Sequence, residues 1–98
     1  MANCEIKKDC LRIPFPPKCF DFCIEKILRV ATPDDKIRVL GMNEGLAHAI
    51  FQAYNNGKKP ISSFNDLKQV LSEIQIRNIE MIFNNLTQNQ LNYFIPKL

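Results

Sequence analysis

Val39-Leu40-Gly41-Met42-Asn43-Glu44-Gly45-Leu46-Ala47-His48-Ala49-Ile50 decides the fold of this chain. A short helical pattern enters it, with Ile37 and Leu40 directed inward, and stops at Gly41. Asn43 is a good N-cap for the next helix, whose apolar face is Leu46, Ala47, Ile50, Ala53 and Tyr54. Two helices joined so tightly leave the first amides of the second, at residues 43–45, pointing outward. Such amides can hold an anion such as a phosphate.

Upstream, Lys18 to Ala31 is helical in period. Phe20, Cys23, Ile24, Ile27, Leu28 and Ala31 share one face, with Asp21, Glu25 and Arg29 on the other at i,i+4 spacing. Thr32-Pro33-Asp34-Asp35 restarts the chain as an N-cap, a first-turn proline and two acids that complement the helix dipole. Before this lies a Pro-rich arm, residues 1–17, holding three of the six prolines in Pro14-Phe15-Pro16-Pro17. It is expected to be an extended strut that seats Phe15 on the core.

Downstream, Asn55-Asn56-Gly57 ends the helix begun at Asn43, and Lys58-Lys59-Pro60 connects onward. Ser63 with Asp66, Ser72 with Gln75 and Thr87 with Gln90 each have capping-box spacing. They open helices that carry Phe64, Leu67 and Val70, then Ile76, Ile79, Ile82, Phe83 and Leu86, then Leu91 and Phe94. No period-2 strand is present. The expectation is an all-α fold of about six short helices, with residues 18–98 as a single domain.

Ninety-eight residues, 46% of them hydrophobic, with a mean hydropathy of −0.16, fit one globular domain. No apolar run is long enough to cross a bilayer, so no membrane partner is expected. The N-terminus, Met1 to Asp9, has no apolar signal region, and the expected location is cytoplasmic. The net charge of +3 is too small to imply nucleic acid by itself.

Gly41-Met42-Asn43 followed by Ala47-His48-Ala49-Ile50 resembles the helix-hairpin-helix family. Ser62-Ser63-Phe64-Asn65-Asp66-Leu67-Lys68-Gln69-Val70 is similar to the segment linking paired hairpins in competence-type DNA-uptake proteins. The C-terminal domain of RNA polymerase α has a similar rhythm. The resemblance covers residues 33–86 and implies a SAM-like bundle with one intact and one degenerate hairpin. It also implies binding of DNA or RNA backbone without base readout, through Gly41, Met42, Asn43 and Gly45, with Lys58 and Lys59 as flanking cations. The chain departs from the family at Asn43, where a second glycine is usual, and at Glu44, where a cation is common. The second hairpin, Leu71-Ser72-Glu73-Ile74, has no glycine.

Cys4, Cys10, Cys19 and Cys23 are separated by five, eight and three residues, a poor match to zinc knuckles. Reduced thiols are expected, with Cys19 or Cys23 in the core. A four-thiolate metal site and a disulfide framework of three formal pairings are the alternatives. His48 stands alone, and no nucleotide loop, acid pair or nucleophile elbow appears, so neither enzyme activity nor a cofactor is expected. The competing function is a protein-interaction or oligomerisation module using exposed hydrophobes, with Phe15, Tyr93, Phe94 and Ile95 as candidates.

Overall fold

The computed structural model describes residues 3–55 and 59–98, whose regular structure is entirely helical, without a strand among them. The helices are α1 (Ile6–Asp9), α2 (Phe20–Val30), α3 (Pro33–Arg38), α4 (Glu44–Asn55), α5 (Phe64–Val70), α6 (Glu73–Asn84) and α7 (Gln88–Phe94). Single 3-10 turns lie at Pro17–Cys19 and Ile95–Lys97.

Capping chemistry sets the helix starts. Thr32/Asp35, Ser63/Asp66, Ser72/Gln75 and Thr87/Gln90 each form a complete reciprocal box at the head of α3, α5, α6 and α7. In each, the cap side chain accepts from the backbone N–H of the third helical residue, whose own side chain accepts from the cap N–H. Two orphan amides per helix are thereby satisfied, and each such cap contributes about 1 kcal/mol.

α3 packs on α4, and α5 packs on α2, α4 and α6. Their inward faces bury Ile24, Ile27, Leu28, Ile50, Phe64, Leu67, Ile79, Leu91 and Phe94 almost completely. The first helix, α1, is an addition to the expected extended arm. The arm is fastened to α2 and sinks Cys10 and Phe15 into the core. Gln88 on α7 grips it from the other side, accepting from the Ile13 N–H at 2.9 Å and donating to the Leu11 carbonyl at 3.1 Å.

Three charged side chains lie in the interior. Glu25, expected on the face of α2 opposite its apolar residues, is buried. It accepts a two-pronged bond from Arg29 at 3.0 and 3.1 Å and a 2.8 Å bond from the Tyr54 hydroxyl on α4. On α3 the buried residues are Asp35 and Lys36, whereas Ile37, expected to point inward, is only half-buried. Asp35 completes the cap of α3 and accepts from Tyr93 and Lys97, both at 2.7 Å. The Lys36 ammonium donates to the Ala31 carbonyl at 2.7 Å, closing the C-terminus of α2. No buried side-chain polar atom among the described residues lacks a partner.

Candidate nucleic-acid interface

Gly41 has φ +75°, the left-handed conformation that its position between α3 and α4 requires. A Cβ there would meet nothing within 4 Å, so the demand for glycine comes from the backbone angle and not from crowding. The turn is closed from behind. The Leu40 N–H bonds to the Asp35 carbonyl at 3.2 Å and the Met42 N–H to the Lys36 carbonyl at 3.0 Å, which satisfies two of the carbonyls in the last turn of α3. Met42 turns inward and is buried, anchoring the loop on the core. Gln90 fastens it further by donating to the Val39 carbonyl at 2.8 Å.

With Met42 held inside, Gly41, Asn43, Glu44 and Gly45 are exposed. The Asn43 side chain accepts from the Leu46 N–H at 2.7 Å, as an N-cap does. The amides of Asn43, Glu44 and Gly45 have no hydrogen-bond acceptor among the described residues. Gly45 is not sterically required, because a Cβ there would make an ordinary 3.4 Å contact with Asn43 Oδ1. The sequence-predicted set Gly41, Met42, Asn43 and Gly45 is therefore one continuous turn, with Met42 as its internal anchor and not a contact residue.

The expected flanking cations are less well accounted for. Lys58 lies outside the described residues. Lys59 is exposed and lines a groove of about 490 Å³ with Pro60, Ile61, Asp66, Gln69 and Val70. Near the turn, the exposed Arg38 is paired with Asp34 at 3.0 Å. Glu44 sits at the first helical position, where a carboxylate favours the helix but opposes an anion.

The second hairpin is shaped differently. The Ser72 hydroxyl occupies the Gln75 N–H, and Gln75 Oε1 accepts from the Ser72 N–H at 2.9 Å. Val70, expected inside, is 55% exposed, and Ile74 is 73% exposed. Together with Met81 on the outer side of α6 they are the apolar residues this half shows to solvent. The hydrophobes expected to form a docking patch do not form one. Phe15 and Phe94 are buried and Ile95 is half-buried, leaving Tyr93 exposed and bonded to Asp35.

All four cysteines are paired, which corrects the expectation of reduced thiols. Cys4 bonds to Cys19 and Cys10 to Cys23, and no free cysteine remains. The two bridges also exclude a four-thiolate metal set in this state. The spacing conceals this pairing because it depends on α1 bringing Cys4 and Cys10, at its two ends, past Cys19 and Cys23, which stand one turn apart beside and on α2. His48 is exposed, with its Nε2 at 3.0 Å from the Gln52 side-chain nitrogen.

The charges behind the turn are fixed by their surroundings. Burial alone would raise the Asp35 carboxyl, but bonds from Lys97, Tyr93 and Thr32 outweigh it and hold the group far below the usual carboxylate range. Burial pushes the Lys36 ammonium down to about 8, partly opposed by the charge of Asp35. Burial and the neighbouring Glu25 carboxylate raise the Tyr54 phenol.

No family model matches the chain, and comparison with curated proteins and with solved structures finds no match either. None of the described helices is long and apolar enough to cross a membrane.

Proposed function

We propose that this chain is a non-enzymatic module that binds DNA or RNA backbone through the helix-hairpin-helix turn at Gly41–Gly45. One observation carries this reading: Asn43, Glu44 and Gly45 are exposed residues whose amides have no acceptor among the described residues, while the Asn43 side chain caps only Leu46. Backbone amides at a helix N-terminus suit a phosphate oxygen and carry no base information. Glu44 limits affinity, so binding is weak and salt-sensitive, with Lys58 and Lys59 as added cations. Two disulfides favour an oxidising compartment over the cytoplasm expected from the N-terminal sequence.

A direct test is to follow the backbone amide resonances while a short duplex and a short single strand are added. Selective shifts at Asn43, Glu44 and Gly45 are expected. Shifts confined to Val70, Ile74 and Met81, or none, would defeat the proposal.

A second function is favoured by the exposed Val70, Ile74 and Met81, which suit contact with a protein partner or another copy of the chain. On that reading the hairpin is purely structural, and substituting these three residues would alter oligomer mass or partner capture, while no nucleic-acid binding would be seen.

A further inference from the structure

The two disulfides differ in access and in neighbours. Cys10 and Cys23 are both fully buried. Cys4 is only half-buried, and its bridge to the buried Cys19 has the half-buried Asp9 carboxylate beside it. The Cys4 and Cys19 sulfurs and an Asp9 oxygen all lie within 4.8 Å of one another. One Asp9 oxygen accepts from the Glu5 N–H at 2.8 Å, and a carboxylate has a second oxygen to offer.

We propose that reduction of the Cys4–Cys19 bridge opens a site for zinc, with the two thiolates and the Asp9 carboxylate as its protein ligands. Sulfur and carboxylate oxygen are both zinc donors, and three protein ligands leave one position for water. The inner bridge keeps the site in shape. Cys10 directly follows Asp9 in sequence and Cys23 stands four residues beyond Cys19, so the Cys10–Cys23 bond holds Asp9 beside Cys19 after the outer bond is broken. Access decides which bond breaks, because an attacking thiolate must reach a sulfur.

The reductant is a dithiol. One of its thiolates attacks the outer bridge, breaking the Cys4–Cys19 bond and forming a mixed disulfide. Its second thiol resolves that intermediate, leaving a cyclic disulfide of the reductant and two cysteine thiols. Binding of the divalent cation then releases one proton from each thiol.

The test uses the whole chain, limiting dithiothreitol, and alkylation with peptide mapping to identify the first bond reduced. Cadmium, which reports thiolate ligation by ultraviolet charge-transfer absorption, and then zinc in competition, are titrated into the oxidised and singly reduced forms. The expected result is alkylation at Cys4 and Cys19 first, with helical circular dichroism retained. One cadmium should bind per singly reduced chain and none to the oxidised chain, and zinc should displace it. Asp9→Asn should weaken binding by roughly tenfold or more, with its helical content unchanged. Prior reduction of Cys10–Cys23, loss of helicity on single reduction, absence of metal binding, or unchanged affinity in Asp9→Asn would each overturn the proposal.

Discussion

The Tyr93 hydroxyl on α7 donates a 2.7 Å hydrogen bond to the Asp35 carboxylate on α3, fifty-eight residues away in sequence. The same carboxylate caps α3 and receives Lys97, so one buried group joins the helix that precedes the Gly41 turn to the C-terminal end of the chain. The turn is held through this junction and through the bond from Gln90 to the Val39 carbonyl.

Because the Asp35 carboxyl titrates well below its value in the unfolded chain, its ionised form is favoured by folding. Its contribution is fully present above the unfolded value near pH 4 and is lost as pH falls toward the folded one. Urea melts from pH 6 down to pH 2 should show a progressive loss of stability in the wild type, and a shallower one in Asp35→Asn. Asp35→Ala should cost about 2–4 kcal/mol at neutral pH, combining a lost cap with donors left behind.

Lys36 acts at alkaline pH, where folding disfavours its charged form. Its folded value of about 8 lies below the unfolded one of about 10.5, so between these the unfolded chain binds more protons and stability rises with pH. Denaturant midpoints measured from pH 8 to 10 should increase in the wild type by an amount on the order of 2 kcal/mol. In Lys36→Met the same series should be flat.

Tyr54→Phe removes one donor from the buried Glu25 carboxylate while leaving the Arg29 fork in place. A cost of about 1–3 kcal/mol is expected in chemical denaturation, since a buried charge is left with one bond fewer. Glu25→Leu should cost less than Glu25→Ala, because it refills the space in the core.

Removing the inner bridge as Cys10→Ser with Cys23→Ser should lower stability by about 3 kcal/mol, for a loop closed by cysteines at a sequence separation of 13. Thermal melts of this variant and of Cys4→Ser with Cys19→Ser check the comparison. The inner pair should be the more damaging, because it also leaves two hydroxyls in a fully buried position.

Helix starts were legible in the sequence because caps are local: Thr32, Ser63, Ser72 and Thr87 each carry their partner three residues on. The turn at Gly41 was legible for the same reason, since one left-handed residue separates two apolar patterns. Burial of Glu25 and Asp35 was not, because Tyr54, Tyr93 and Lys97, which make it tolerable, come from distant parts of the chain. Val70 fits the apolar period of its helix but stands at the end of α5, where the chain hands over to α6, and is left exposed there. The cysteine pairing needed α1, a four-residue helix too short to show a period.

Glu44 and Gly41 allow the nucleic-acid reading to be tested from both directions. Fluorescence anisotropy with a labelled short DNA should be recorded on the wild type, Glu44→Lys and Gly41→Val across a salt series. The expected result is weak wild-type binding that falls with salt, tighter binding by Glu44→Lys, and loss in Gly41→Val, whose β-branched side chain strains the left-handed turn. Equal affinity in all three proteins, or no binding by any of them at low salt, would contradict a phosphate held at the start of α4.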